Sequence, residues 1–484
     1  MELKLSKKRD YVWELPKHGE MRVVGRVYGD EKTVKHLHDD VAAGKEWNAL
    51  KQIYNVACLP GIQKASLAMP DVHPGYGFPI GGVAAFTKKE GIVCVGGVGF
   101  DAGCNVANIK IPLKKKDILK KQKQLAEALF KNIPAGLGKK GEISLEWSQL
   151  DEVLAKGANV AIALGYGCKD DLHFFEKKGY LKNANPDNVS EVAKKRENRQ
   201  IGTLGSGNHY LEVQYVDKIY DEVAAEGYGI SKDDIIVAIH CGSRALGHQV
   251  GTDYLKVLDV ASRKYKIPIR ERELVCAPIE SEEGQKYISA VSAAINYGYA
   301  NKEVLIHLAR KVFSKVYGLD EDSLPLLYVI SHNSLMEERH KVDGKVEELF
   351  VHRKGATRAF GPGNEELPIE YRKIGQPVLV GGTMGTCSYI LKGTEIAMEE
   401  TFASACHGSG RRMSRRQAVK TWRAKDIVDE LAKKGIIVKG HDRKGIAEES
   451  PNAYKDVNQV VDVMHYSGIS TKVAKVKPLI SIKG

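Results

Sequence analysis

The sequence has few cysteines and no long hydrophobic run. Only eight of its 484 residues are cysteine, and none belongs to a C-x-x-C pair, so we expect reduced thiols rather than a disulfide scaffold. Apolar stretches such as residues 91–100 stop well short of the roughly 18 residues that a membrane-spanning helix needs. The N-terminal segment carries charges throughout and lacks the apolar stretch of a secretory signal. These absences predict a cytoplasmic protein without a membrane span.

Repeats, low-complexity tracts and long Pro/Ser-rich linkers are also absent from the sequence. Such segments would divide the chain into arrays or separate domains. Hydrophobic residues make up 43% of the chain and charged residues 28%, which is ordinary for a globular protein and excludes wholesale disorder. We therefore predict a single large unit over residues 1–484.

Negative charge is scarce relative to positive charge. The chain has 61 Asp+Glu against 73 Lys+Arg, a formal net charge of +12. Clustered cations attract phosphate backbones and release condensed counterions on binding. The charge balance favours a polyanionic partner, although many soluble proteins are equally basic and charge alone does not decide the matter.

Hydrophobic periodicity predicts an α+β fold, with central β-sheets flanked by helices. Helical periodicity covers residues 116–133, 249–265, 284–316 with a break near Gly298, and 416–433. Short apolar runs predict buried strands at residues 92–95, 235–239, 326–330 and 377–380.

Polar or glycine-rich segments follow each of these predicted strands. They are residues 96–104, 240–244, 331–334 and 381–385. Sites commonly form where a rigid strand meets adaptable backbone at its C-terminal end. Four such coincidences predict one shared site.

Five residues in or near these segments suit metal ions. Asp101 and Cys104 are three residues apart in a glycine-rich turn, His209 follows a Gly-Ser-Gly sequence, and His240 and His332 end buried strands. Singly, each also fits a structural role, as a turn former, a buried thiol or a hydrogen-bonded histidine. Together they could hold two metal ions that share the thiolate, an arrangement suited to phosphoryl displacement. By ligand softness alone, the set favours Zn or Fe.

Residues 403–416 combine His407 with two glycines and four arginines before a predicted helix. Gly408 and Gly410 would let backbone N–H groups approach a phosphate, although a solvated basic helix start has the same composition. His407 could ligate metal, transfer protons or act as a nucleophile. The loop at 381–386 lacks the ending of a Walker sequence.

Another glycine-rich loop, at residues 75–82, follows Asp71 and His73. We expect that loop to be conformationally constrained. Asp71 and His73 could then support metal ligands from a second layer around the site.

Six segments of the chain resemble the signature blocks of the RtcB family of RNA ligases. The segments are FDAGCN at 100–105, GSGNHYLEV at 205–213, HCGSR at 240–244, SHN at 331–333, VLVGGTMGTCSYIL at 378–391 and CHGSGRRMSR at 406–415. The resemblance is collinear from about Met69 to Lys483. It implies a GTP- and Mn²⁺-dependent enzyme that joins RNA 2′,3′-cyclic phosphate or 3′-phosphate ends to 5′-hydroxyl ends. It further implies a role in tRNA splicing and RNA repair, with archease as an activating partner.

The same resemblance implies roles for individual residues. Asp101, Cys104 and His209 would hold one Mn²⁺, and Cys104, His240 and His332 the other. His407 would attack the α-phosphorus of GTP and carry GMP. The implied nucleotide pocket consists of Asn208, His209, Tyr210, Leu211, Glu212, His332, Asn333, Gly381, Gly382, Thr383, Met384, Ser388, His407, Gly408, Ser409, Gly410 and Lys483, with Glu212 and Lys483 suited to guanine.

Charge adds four candidates for contact with the RNA backbone, namely Arg353, Arg411, Arg412 and Arg415.

Two other functions are consistent with parts of the sequence pattern. A dinuclear metal phosphoesterase would use the five metal ligands without a covalent GMP. A non-catalytic RNA-binding protein would need only the positive charge.

Overall fold

The computed structural model describes residues 3–136, 138–141, 143–197 and 199–484, which form an α+β fold as predicted. Its strands are β1 Ser6–Arg9, β2 Val12–Leu15, β3 Val24–Tyr28, β4 Ala65–His73, β5 Ile80–Thr87, β6 Ile92–Cys94, β7 Asn105–Lys114, β8 Tyr210–Ile219, β9 Asp234–Cys241, β10 Cys276–Pro278, β11 Leu326–Ser331, β12 Asn333–Val342, β13 Lys345–Lys354, β14 Ala356–Arg358, β15 Pro377–Val380, β16 Ser388–Gly393, β17 Ser404–Cys406, β18 Ile437–Gly440 and β19 Ser470–Lys483. Its helices are α1 Glu31–Ala42, α2 Ala49–Ala57, α3 Lys115–Asn132, α4 Trp147–Lys156, α5 Ala158–Ala163, α6 Glu191–Glu197, α7 Glu222–Tyr228, α8 Arg244–Lys264, α9 Glu282–Tyr317, α10 Glu395–Glu400, α11 Arg415–Thr421, α12 Ala424–Lys433, α13 Arg443–Glu448 and α14 Val457–Tyr466.

Two large sheets organise these elements. One has seven strands in the order β1-β2-β3-β4-β5-β13-β12. The other has eight, in the order β11-β7-β9-β8-β19-β16-β15 with β18 paired to β19. Most neighbouring strands run antiparallel, and β3–β4 and β18–β19 are parallel pairs. The strand pairs β6–β10 and β14–β17 form two small sheets, and β14 contacts β5 of one large sheet and β11 of the other.

Helix α9 packs beneath the eight-stranded sheet and is buried along most of its 36 residues. A helix that is apolar on nearly all sides belongs in the interior of a large protein. The predicted break near Gly298 was wrong, because the helix continues without interruption. A Cβ atom at Gly298 would lie 2.6 Å from the Gly103 carbonyl oxygen. Glycine is required here by close contact with the loop before β7.

The other predicted elements are largely confirmed. The predicted helices at 116–133 and 249–265 correspond to α3 and α8. The helix predicted at 416–433 is instead two helices, α11 and α12, because Trp422 and Arg423 have extended backbones. The predicted strands correspond to β6, β9, β11 and β15. Among the residues described, no helix is long and apolar enough to cross a membrane.

Candidate functional site

Four of the predicted metal ligands lie at neighbouring strand ends along one edge of the eight-stranded sheet. The strands β11, β7, β9 and β8 are consecutive neighbours in this sheet. Cys104 immediately precedes β7, His209 precedes β8, His240 lies near the end of β9, and His332 follows β11. The registers of the three strand pairs place these positions side by side. Residues far apart in sequence therefore meet at one edge.

The position of Cys104 differs from the prediction, which placed it in the segment that follows the strand at 92–95. His240 and His332 occupy C-terminal strand ends, whereas Cys104 and His209 lie at the N-terminal ends of β7 and β8. Because these strands run antiparallel, the start of one adjoins the end of the next. The predicted strand at 92–95 belongs to the small β6–β10 sheet, so β7 positions the Cys104 thiol.

The donor atoms of the five predicted metal ligands converge. Cys104 Sγ lies 3.4 Å from His209 Nε2 and 3.2 Å from His240 Nε2. His240 Nε2 lies 3.3 Å from His332 Nε2, and His209 Nε2 lies 3.1 Å from Asp101 Oδ2. Cys104 is central to this set. Its sulfur contacts His209, which in turn contacts Asp101, and it also contacts His240, which in turn contacts His332.

Two histidines of the cluster, His240 and His332, lie in buried surroundings that disfavour their charged forms. Burial holds the pKa values of His240 and His332 well below their usual range. His240 Nδ1 lies 3.0 Å from the Asn208 carbonyl oxygen, which can only accept, so Nδ1 carries the proton. The Nε2 lone pair of His240 therefore faces Cys104 and His332. Convergent lone pairs of this kind are typical of metal ligands.

The charges of the remaining donors also fit a cation. Burial raises the pKa of the Cys104 thiol well above its usual range, and the Asp101 carboxylate raises it further. Burial opposes ionisation of Asp101 as well, but His209 keeps its pKa below the usual value. A thiolate in this setting requires a nearby cation to stabilise it. The carboxylate, the thiol and the imidazoles of this cluster therefore fit one or more divalent metal ions.

His407 lies beside this cluster, directly after β17. Its ring centroid is 4.9 Å from that of His332. His407 Nδ1 is 2.7 Å from Asp71 Oδ2, and the His407 backbone N–H donates to the same oxygen. A carboxylate accepts hydrogen bonds, so Nδ1 carries the proton and the Nε2 lone pair is free. His407 is thus held as a nucleophile or base next to the predicted metal site.

Two glycine-rich loops adjoin His407. The Gly381 N–H donates to the His407 carbonyl oxygen, and the Ser409 N–H donates to the Gly381 carbonyl oxygen. Gly410 has a φ of +69°, and a Cβ atom there would lie 2.2 Å from the Asp71 carbonyl oxygen. Only glycine fits so close to the strand that carries Asp71.

The loops line a cleft of about 170 Å³. Its walls include His240 and His407, so the cleft leads to the metal ligands. The other lining residues are His73, Ile80, Val106, Asn208, Tyr210, Gly381, Gly382, Gly408, Ser409, Gly410, Arg411, Arg415 and Tyr454. Backbone N–H groups and two arginines on these walls suit a phosphate group.

A buried polar pair lies on β8 and β19, where Tyr210 pairs with Lys483. Glu212 is 2% exposed and accepts hydrogen bonds from Gln214 at 2.8 Å and Ser481 at 3.0 Å. Burial raises the pKa of Glu212, against the effect of Lys483, and burial lowers the pKa of Lys483. The Lys483 Nζ lies 4.9 Å from the Tyr210 ring centroid. A carboxyl group and an amine held near each other suit a base with both donors and acceptors.

The remaining predicted pocket residues have varied surroundings. Ser388 accepts from the Gly382 N–H at 3.0 Å, and Thr383 contacts Thr386 within the same loop. Asn333 donates to the Asp101 carbonyl oxygen, and so supports the metal-ligand loop. The side chains of Leu211 and Met384 are fully buried in hydrophobic cores. A nucleotide could contact these two residues only through their backbones.

The prediction that Arg353 contacts RNA was wrong. Its side chain is 0% exposed and forms two hydrogen bonds with Glu338, which is equally buried. Arg411 is half-buried and bonded to Tyr454 and Glu449, so it forms part of the cleft wall. Arg412 and Arg415 are exposed. The charge count could not separate a buried structural arginine from an exposed one.

Sequence reasoning underestimated two parts of the site. Asp71 was expected to support metal ligands, whereas it directly contacts His407. Glu449 was not singled out, although it lies within 3.8 Å of Arg415 and 3.3 Å of Arg411. No local pattern marks either contact, because each joins segments that are distant in sequence.

Comparison with known proteins defines the class. A family model described as "tRNA-splicing ligase RtcB" matches residues 52–484. The match covers all of the clustered metal ligands, His407 and both glycine-rich loops. The chain is therefore an enzyme of the ligase class.

Individual relatives give the same result over the full length. A tRNA-splicing ligase RtcB from Archaeoglobus fulgidus is 50% identical over 488 residues, which cover 100% of both chains. One from Methanococcus maripaludis is 50% identical over 466 residues, covering 96% of this chain and 95% of the relative. One from Thermococcus kodakarensis is 48% identical over 475 residues, covering 98% and 97%. The chain belongs to the RtcB family, and the resemblance inferred from its sequence is confirmed.

Proposed function

We propose that this enzyme is a GTP- and Mn²⁺-dependent RNA ligase that acts in tRNA splicing and RNA repair. It would join a 2′,3′-cyclic phosphate or 3′-phosphate end to a 5′-hydroxyl end. The observation that carries the proposal is His407, with its Nε2 lone pair exposed by the Asp71 hydrogen bond and its ring beside the metal ligands. The names of the relatives support the RNA substrate.

The proposed metal ligands divide into two sets that share Cys104. Asp101 and His209 would complete one set, and His240 and His332 the other. When bound, Mn²⁺ would neutralise and polarise phosphate oxygens. Ligand softness alone favours Zn or Fe, so the choice of Mn²⁺ rests on the family resemblance.

In the proposed first step, His407 Nε2 attacks the α-phosphorus of GTP. A P–N bond forms, the bond to the β-phosphate oxygen breaks, and pyrophosphate leaves. The imidazole ring gains positive charge, which the Asp71 carboxylate at Nδ1 stabilises. Arg411, Arg415 and the 408–410 backbone line the cleft where the phosphates would lie.

The later steps use the same groups. A 2′,3′-cyclic phosphate end would first be hydrolysed to a 3′-phosphate at this site. An oxygen of the RNA 3′-phosphate then attacks the GMP phosphorus, and the P–N bond breaks to return neutral His407. The RNA 5′-hydroxyl oxygen next attacks the 3′-phosphorus, loses its proton and displaces GMP. Glu212 and Lys483 would recognise guanine next to Tyr210, which lines the cleft and contacts Lys483.

Partners and setting follow from the same proposal. RNA ends from cleaved transfer RNA would be the substrates, and archease would promote turnover. The eight cysteines are all free, which suits the reducing cytoplasm as the place of action.

A metal phosphoesterase that hydrolyses RNA ends without joining them is the second candidate function. The cluster around Cys104 would serve hydrolysis equally well. The Asp71–His407 pair favours ligation, because hydrolysis needs no covalent GMP.

The test is an RNA-joining assay with a labelled 3′-phosphate end, a 5′-hydroxyl end, GTP and Mn²⁺. We expect a joined product that requires GTP and that disappears in His407→Asn. Release of the label without joining, at equal rates in the parent and in His407→Asn, would replace ligation by hydrolysis as the proposed function.

A further inference from the structure

Four aromatic rings form a row on the surface beside the metal ligands. Trp47 and Tyr76 meet edge to face with centroids 5.0 Å apart, and Tyr76 meets Phe100 at 6.0 Å. Phe100 then contacts the His248 ring at 5.2 Å. Trp47 is 46% exposed and Tyr76 is 51% exposed. Side chains of this size are usually more buried, so an exposed run of them points to a binding role.

The row passes close to the metal cluster at its third ring. Phe100 immediately precedes Asp101, whose side chain is 39% exposed and contacts His209. The backbone of Phe100 therefore adjoins that of a partly exposed residue of the cluster. A strand whose end reacts at the cluster would have its next nucleotides within reach of this surface.

Backbone contacts hold the middle of the row in place. Gln52 donates to the Gly75 carbonyl oxygen and accepts from its N–H. Lys354 donates to the Tyr76 carbonyl oxygen at 2.5 Å, and Glu271 accepts from the Gly77 N–H at 3.0 Å. A ring on fixed backbone loses little conformational entropy when a ligand stacks on it.

The charge near the His248 end suits a nucleic acid. Arg196 is exposed and bonds the neutral Gln249, the residue after His248, at 2.7 Å. The partner of Arg196 in this bond is thus an amide, which does not neutralise its charge. Arg244 begins the same helix, but its half-buried guanidinium bonds the Thr203 hydroxyl and interacts with Glu197, so it does not add to this charge. Cations beside aromatic rings are the combination by which proteins hold single-stranded nucleic acid.

We propose that Trp47, Tyr76, Phe100 and His248 form a stacking platform for unpaired bases near the reacting RNA end. The inference rests on the proposed RNA substrate and names a binding surface for it. Base stacking on aromatic rings tolerates any sequence, because every base has a flat face. A platform of this kind would therefore select unpaired ends rather than a particular sequence.

The test is the affinity of the full-length protein for short single-stranded RNAs, one with a 3′-phosphate and one with a 5′-hydroxyl end, measured without GTP. We expect Trp47→Ala to weaken binding of at least one of these RNAs about fivefold or more. Trp147 is also 46% exposed and begins helix α4. Trp147→Ala is the matched control and should bind as the parent does.

A second measurement changes the RNA instead of the protein, so it does not depend on how a variant folds. Abasic nucleotides are placed one at a time near the reacting end. At one position, we expect the abasic nucleotide to weaken RNA binding by the parent protein. The same abasic RNA should bind Trp47→Ala no more weakly than the intact RNA does. Equal affinities for intact and abasic RNAs, together with parent-like binding by Trp47→Ala, would overturn the platform and leave the row to a protein partner. Uptake of GMP by the parent without RNA tests the proposed function separately.

Discussion

Single hydrogen bonds decide where protons lie in this site. Asp71 holds the proton of His407 on Nδ1, and the Asn208 carbonyl oxygen holds that of His240 on Nδ1. In both rings the Nε2 lone pair is left facing the cleft or the metal ligands. These tautomers are the ones that the proposed roles require, with His407 as nucleophile and His240 as metal ligand.

Replacement of Asp71 tests the first of these contacts. In Asp71→Asn, the amide can donate to Nδ1 and move the ring proton to Nε2, where the lone pair is needed. We expect the rate of GMP transfer to the protein to fall by about 10²–10⁴-fold. Asp39→Asn changes an exposed carboxylate and should react at the parent rate. A normal rate in Asp71→Asn, with intact circular dichroism, would contradict the role given to Asp71.

The buried Arg353–Glu338 pair makes a separate prediction about stability. Removing one partner of a buried ion pair leaves an uncompensated charge. We expect Arg353→Ala to lower the free energy of unfolding by about 3–5 kcal/mol, seen in urea unfolding. Arg412→Ala, at an exposed position, should change it by less than about 0.5 kcal/mol. Similar small effects in both variants would show that Arg353 is not a structural residue.

At the scale of elements, local sequence patterns predict single strands, whereas the pairing of strands depends on long-range contacts. The strands at 235–239 and 326–330 could be predicted because short apolar runs with polar ends are a local property. Their neighbours could not, because β7 lies between them in the sheet although it comes much earlier in the chain. The antiparallel order, and with it the position of Cys104 at a strand start, depends on pairing that no local pattern records.

Gly298 shows the same limit within one helix. Glycine weakens an isolated helix, so a break was the reasonable expectation. In the folded protein the neighbouring Gly103 carbonyl oxygen occupies the space where a side chain would be. Packing with the metal-ligand loop therefore outweighs helix propensity at this position.

Substitution of Gly298 separates these two effects. By propensity alone, Gly298→Ala would stabilise α9 by about 1 kcal/mol. We expect a net loss of stability instead, together with slower GMP transfer, because the new methyl group displaces the loop that carries Cys104. Thermal unfolding and transfer rates measure the two effects. Lys311→Ala, on the exposed surface of α9, is the control. A more stable and fully active Gly298→Ala would contradict this account.

At the scale of the whole molecule, the site is built from residues of both large sheets. The seven-stranded sheet contributes Asp71 from β4, and the strand ends of the eight-stranded sheet contribute four of the proposed metal ligands. His407 lies between them after β17, which pairs with β14. Correct assembly of both sheets is therefore needed before nucleophile and metal ligands meet. The family signature segments could identify these residues in the sequence, but not the sheet that supplies each one.

Metal binding should consequently stabilise the folded chain. A ligand that binds only the native state adds about 2.7 kcal/mol at one hundred times its Kd. We expect saturating Mn²⁺ to raise the Tm of the parent but not that of Cys104→Ala, which lacks the shared ligand. Cys58→Ala changes a buried thiol at the end of α2, in a hydrophobic cluster that contains none of the proposed metal ligands, and should keep the shift. An equal Tm increase in Cys104→Ala would place the metal elsewhere.

The most direct test of the whole account is mass spectrometry of the protein after incubation with GTP and Mn²⁺. We predict an added GMP that is stable to base, labile to acid and located on His407 by peptide mapping. His407→Asn should acquire no such group. An unmodified parent protein, or GMP on a different residue, would contradict the central claim that His407 is the nucleophile beside the metal site.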